Sequence, residues 1–174
     1  MDHLLATQQW RTLKPQEIAF VERVWRAHRE KADLYGPANE HACVKLRRFE
    51  VIDNRRGQHI ENGPAKLTPG WIGFLHYHKI LPIGYGQMSH QCGCKLCING
   101  LNVFHEPKSV NLKRRMCHRA IKTFEKEVRN TEGRVSGMVT MDIVCIMRRN
   151  HPPCTHEPPC FVNFGCVRHK SSKK

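Results

Sequence analysis

The sequence predicts an α+β fold with little central core, stapled by two Cys/His clusters, and three observations lead there. Residues 15–31 carry helical periodicity, residues 42–80 break into short segments punctuated by turn signals, and cysteines crowd into two dense stretches beyond residue 89. Hydrophobic residues make up 40% of the 174, enough for a folded domain, but aromatics are only 7%, beside 12 glycines and 10 prolines. Such a mix gives a loop-rich chain that needs staples beyond its hydrophobic core.

In chain order, the first element is a helix over residues 15–31. Pro15 suits a first turn, and Ile18, Val21, Trp25 and His28 recur near helical spacing, so one face packs on the core. Residues 42–80 read as short strands, with turns at Asp53-Asn54, Arg56-Gly57, Asn62-Gly63-Pro64 and Pro69-Gly70. Arg47, Arg48, Arg55, Arg56 and Lys66 are scattered through them. A twisted antiparallel ribbon bearing such side chains can enter the major groove of DNA.

A helix is expected to start near Pro107, and residues 119–129 read as helix through Ile121, Phe124 and Val128. Residues 135–147 alternate as a strand, with Val135, Val139 and Met141 opposed to Ser136, Thr140 and Asp142, and with Cys145 a core thiol on the apolar side. The expected organisation is an N-terminal helical segment over 1–40, a main domain over 41–160 with an insertion at 119–150, and a basic tail over 161–174.

The formal net charge is +14, from 29 Lys+Arg against 15 Asp+Glu. A chain this basic is suited to a polyanion, because neutralising phosphates releases counterions. No stretch approaches the roughly 18 apolar residues of a membrane span. The first residues lack the basic start and apolar core of a signal peptide. A reducing compartment is therefore expected, where nine cysteines, an odd number, are better explained by metal than by disulfides.

A structural zinc takes four soft or borderline ligands, often two from one tight loop and two from elsewhere. Cys92-Gly93-Cys94-Lys95-Leu96-Cys97 can form such a loop, with Cys43 upstream. In the second stretch, Cys154, His156 and Cys160 offer three ligands in seven residues, stiffened by Pro152, Pro153, Pro158 and Pro159, and Cys117 is the natural fourth. Closed Cys-rich sites leave no position for a reacting water, so both clusters are expected to be structural.

Phosphodiester cleavage needs a base for water, a divalent cation on the scissile phosphate and positive charge near the developing anion. His90 stands at the edge of the first cysteine loop, and histidine is neutral near physiological pH. Asn111 lies in the helix beginning near Pro107, with Arg114 and Arg115 three and four residues on. A neutral amide oxygen can hold a hard cation such as magnesium.

The run Ser89-His90-Gln91-Cys92, Cys97-Ile98-Asn99, Glu106-Pro107, Asn111, Arg114 and Cys117 resembles the His-Cys box of homing endonucleases, a branch of the ββα-metal nucleases. The resemblance extends from Cys43 to Cys160 and is dense between residues 89 and 117. It implies His90 as general base, Asn111 as magnesium ligand, and Lys66 and Arg114 as the basic groups at the phosphate. It also implies Cys43, Cys92 and Cys97 at a first zinc, and Cys117, Cys154, His156 and Cys160 at a second.

Where the family has a zinc-binding histidine, this chain has Asn102, so Cys94 or His105 is expected to supply the missing ligand, Cys94 being preferred. Gly100 stands in place of the family's usual proline, and the 119–150 insertion separates Cys117 from Cys154. The implied protein is a homodimer in the nucleus that hydrolyses duplex DNA at a long, near-palindromic site, with two structural zincs and one magnesium. The main rival is a non-catalytic zinc-stabilised DNA-binding module of the same descent; a zinc-dependent protein-interaction adaptor ranks last.

Overall fold

The structure, a computed structural model, describes residues 9–35, 42–131, 156 and 160. It is a mixed α+β arrangement in which every described strand belongs to a two-stranded antiparallel pair. The expected strand at 135–147, with Cys145, and the tail over 161–174 lie outside the described residues.

Strand β1 (Gln9–Thr12) leads into helix α1 (Pro15–Arg29), which begins with Pro15 in its first turn, as expected. Glu17, buried at the third helical position, accepts the Lys14 N–H at 2.7 Å and two bonds from the Arg11 guanidinium at 2.7 and 2.6 Å. It also accepts the Glu61 N–H at 2.8 Å, so one carboxylate ties strand, helix and a distant loop together. Burial raises the Glu17 pKa, but the bonds from Arg11, Lys14 and Glu61 outweigh it and hold the group at about 2.

Strands β2 (Asp33–Tyr35) and β3 (Cys43–Lys45) pair with each other. The short β4 (Ile52–Asp53) pairs with β5 (Lys66–Leu67), around the single turn of α2 (Asn54–Gly57). Asp53 caps that turn through the Arg55 N–H, and buried Asn54 clamps the Ile60 N–H and carbonyl at 2.9 Å each. In place of the basic ribbon expected over 42–80, β3 pairs upstream with β2, and β4 pairs with β5.

The end of that stretch is a correction: residues 69–78 are a helix, α3 (Pro69–His78), where strand was expected. Proline fits the first turn of a helix, where its missing N–H is no loss. The four consecutive buried residues Ile72, Gly73, Phe74 and Leu75 lack the alternation of a half-exposed strand and suit a helix covered on several sides. Lys79, at φ 56°, ends it in the left-handed conformation.

After it come β6 (Ile80–Ile83), paired with β1, and then β7 (Gln87–His90) and β8 (Val103–Glu106), paired antiparallel with His90 opposite Val103. A short 3-10 turn, Gly100–Asn102, precedes β8. Helix α4 (Lys108–Thr131) follows as one continuous element, where the sequence suggested two pieces.

Leu13, Val21, Ile60, Leu67, Ile72, Leu75, Leu81 and Val103 form the core, with Ile18 and Trp25 of α1 packed at its edge. Residues 10–25 thus share one core with residues 49–103. Among the described residues no helix is long and apolar enough to cross a membrane.

Candidate metal centres and the hairpin beside them

Cys43, Cys92 and Cys97 are fully buried, and their sulfurs lie within 4.8 Å of one another. Backbone pairing explains how residues so far apart in sequence meet. Lys45 bridges antiparallel to Cys97, with the Leu46 N–H on the Leu96 carbonyl at 3.0 Å and the Ile98 N–H on the Val44 carbonyl at 2.9 Å. The connection between β7 and β8 thereby lies along β3, and Cys92, just past the end of β7, completes the trio.

Bonds from the Cys43 and Cys92 thiols hold Cys97 far below the usual thiol pKa, at about 3. The Cys92 thiol also bonds Cys43, which lowers it, but the bond to Cys97, burial and the Cys97 charge prevail and raise it. Three converging sulfurs, one readily ionised, form the donor set of a soft or borderline cation.

Of the two residues expected to complete this centre, Cys94 is buried beside the trio but is not in the mutually close set. His105 lies further along the hairpin, opposite Met88, with its ring against Gly86 and Trp71. Asn102, in contrast, is fully buried with its Nδ2 3.8 Å from Cys97 Sγ.

The second group is Cys117, His156 and Cys160, all half-buried, with His156 Nδ1 3.5 Å from each sulfur. Cys117 projects from α4. Cys154, expected in the same set, lies outside the described residues. Both groups can hold a metal ion.

His90 ends β7 beside the first trio. Its Nε2 is 3.3 Å from the Cys97 carbonyl, and its ring packs against Gly70, where an added Cβ would lie 2.9 Å from Cε1. Burial lowers its pKa and favours the neutral ring. Asn111 is half-buried near the start of α4, and its Nδ2 donates to Gln87 Oε1 at 3.0 Å. The structure thus ties both residues to β7 but gives each a different partner. Strand alternation and the covering helices explain this: Met88 and His90 face α3, while Gln87 and Glu106 meet α4.

Arg114, expected as a phosphate contact, is placed differently. It is fully buried, with Nε 2.9 and 3.0 Å from the two Glu106 oxygens and Nη1 3.5 Å from Cys160 Sγ. It holds α4 onto β8 and contacts the second cluster. Lys66 is exposed on β5, and Arg55 is exposed on α2. Arg47 pairs with Asp33 at 3.0 Å, Arg48 with Glu50 at 3.9 Å and Arg56 with Asp53 at 3.6 Å. Surface pairs of this kind are worth about 0–1 kcal/mol, so a phosphate can compete for these arginines.

The sequence reading gave no role to three contributors, of which only Glu106 stands in the run that resembles the family. Gln87 orients Asn111, Glu106 anchors Arg114, and buried His118 reaches the Gln91 carbonyl at 3.0 Å, next to Cys92. The i, i+3, i+7 spacing of Asn111, Arg114 and His118 marks one helix face and is the signal that could have found His118. No family model, curated protein or solved structure matches this chain.

Proposed function

We propose that this chain is a metal-dependent endonuclease acting on duplex DNA, with structural zinc in both clusters. The observation that carries the reading is the arrangement around β7 and β8. A sulfur-lined centre sits across the connection between the two strands, a histidine ends the first strand, and an asparagine-bearing helix follows the second. This is the order of parts in the nucleases that residues 89–117 resemble.

His90 takes a proton from the water that attacks the scissile phosphorus, and the bond from phosphorus to the 3′ oxygen breaks. With Nε2 donating to the Cys97 carbonyl, Nδ1 is the basic nitrogen, and the buried ring starts neutral. Gln87 fixes the Asn111 amide by accepting its N–H, so that Oδ1 is the atom a hard cation takes. A magnesium ion held there would supply positive charge at the scissile phosphate. Lys66, exposed on β5, offsets charge on the phosphate, while Arg114 serves by keeping α4 on the hairpin. The +14 charge suits DNA. A homodimer on a near-palindromic site, acting in the nucleus, belongs to the same reading.

A second reading, a zinc-stabilised DNA-binding module without chemistry, is favoured by the two faces of the hairpin: His90 packs against Gly70 on the α3 side, while Asn111 meets Gln87 on the α4 side. The two separate in one experiment: incubating the full chain with a mixed duplex library and magnesium, beside EDTA and His90→Ala controls. The expected result is sequence-specific cutting, abolished by EDTA and reduced about a hundredfold or more by His90→Ala, with DNA binding intact. Zinc-loaded native protein that binds the library and never cuts it sinks the nuclease reading in favour of the module.

A further inference from the structure

We infer that the Asn102 amide is the fourth ligand of the first metal centre, which is then held by the thiolates of Cys43, Cys92 and Cys97 and by one carboxamide oxygen. A closed structural site needs four donors, and the trio supplies three. Neither Cys94, His105 nor His90 belongs to the mutually close set.

Asn102 is fully buried, and its amide lies 3.8 Å from Cys97 Sγ. With metal–sulfur bonds near 2.3 Å, neighbouring ligands of a tetrahedron stand roughly 3.5–3.8 Å apart, so the amide is at ligand distance from Cys97. Its backbone is fixed on both sides. Its N–H bonds the Asn99 carbonyl at 3.0 Å, and its carbonyl accepts the Gln91 N–H at 2.8 Å, one residue before Cys92. Asn99 in turn braces the turn, accepting the Leu101 N–H at 3.1 Å and reaching the Ala42 carbonyl at 2.8 Å, one residue before Cys43.

Thiolates alone draw the amide N–H, whereas a cation among them draws the oxygen, and a half-turn about Cβ–Cγ exchanges the two in the same space. An amide oxygen is a harder and weaker donor to zinc than sulfur or imidazole. The centre therefore binds its ion less tightly than an all-sulfur or three-sulfur, one-imidazole site. This inference does not depend on whether the chain cuts DNA.

The competing role, an N–H donor to the Cys97 thiolate, predicts the opposite response to one substitution. Asn102→Asp keeps an oxygen and loses the N–H. Chelator competition for zinc on the full chain should show Asn102→Asp and Asn102→His each binding tighter than native at the first centre, and Asn102→Leu binding weaker by about tenfold or more. Cadmium NMR on the native chain gives a check free of any substitution: the first centre should resonate in the three-sulfur, one-oxygen range. A four-sulfur resonance overturns the proposal and assigns Cys94. Weaker zinc binding by Asn102→Asp overturns it in favour of the N–H donor, and a trio that takes no metal overturns it outright.

Discussion

Arg114 shows how burial changes the meaning of a side chain. In sequence it is one of two adjacent arginines on a helix in a basic chain, and a phosphate contact is the natural reading. In the fold it is fully buried against Glu106 on β8, while Arg115 is exposed. Nothing local announces this, because the partner stands eight residues back across a strand-to-helix turn. Removing one partner of a buried pair leaves a stranded charge, so Arg114→Met should lower stability by about 3–5 kcal/mol in urea unfolding. Adding Glu106→Leu should recover most of the loss, whereas a solvent-facing Arg114 would show neither effect. Glu17 offers a test by pH. Its folded pKa of about 2 lies below its ordinary 4.5, so its contribution is complete above about 4.5 and is lost as pH falls towards about 2. Glu17→Gln should lower the melting temperature at neutral pH and flatten its decline across that acid window.

Among the elements, α1 was legible because a first-turn proline and a periodic apolar face agree. Helix α3 was hidden, since its run of apolar residues lacks a period and Pro69-Gly70 reads as a turn as easily as a helix start. The cysteines of the first centre were legible from their crowding, but its geometry was not, because it depends on the Lys45–Cys97 bridge, a pairing with no local signal. What α3 does explains its glycines. A Cβ on Gly73 would stand 2.5 Å from the Ile98 carbonyl oxygen, and one on Gly100 would stand 2.4 Å from the Gly73 carbonyl oxygen. Helix and cysteine-bearing connection therefore touch backbone to backbone. Alanine would ordinarily favour a helix by about 1 kcal/mol over glycine. Here the clash is with main chain next to Cys97, so Gly73→Ala should instead destabilise by roughly 1–3 kcal/mol. Its urea midpoint, with zinc saturating, reads the sign directly, and an unchanged or raised midpoint would refute the close approach.

On the scale of the whole molecule, the described strand pairs are only two to four residues long, and two clusters that can hold a metal ion bring together residues distant in sequence. Stripping bound metal with a strong chelator should lower the melting temperature and blunt the cooperativity of unfolding, and restoring zinc should reverse both. A melting curve indifferent to chelation would show that the core suffices alone. The bridge that carries Cys97 onto β3 also imposes an order in time. During synthesis Cys43 emerges well before Cys92 and Cys97, and the strand it opens has only β2 beside it until the later connection arrives. The N-terminal half therefore waits, its future ligand a reduced thiol open to any stray metal or oxidant, and the centre closes only when the chain beyond residue 97 has left the ribosome. A metal that fills this centre would thus bear on whether the newborn chain reaches its fold at all, before any question of how stable that fold is.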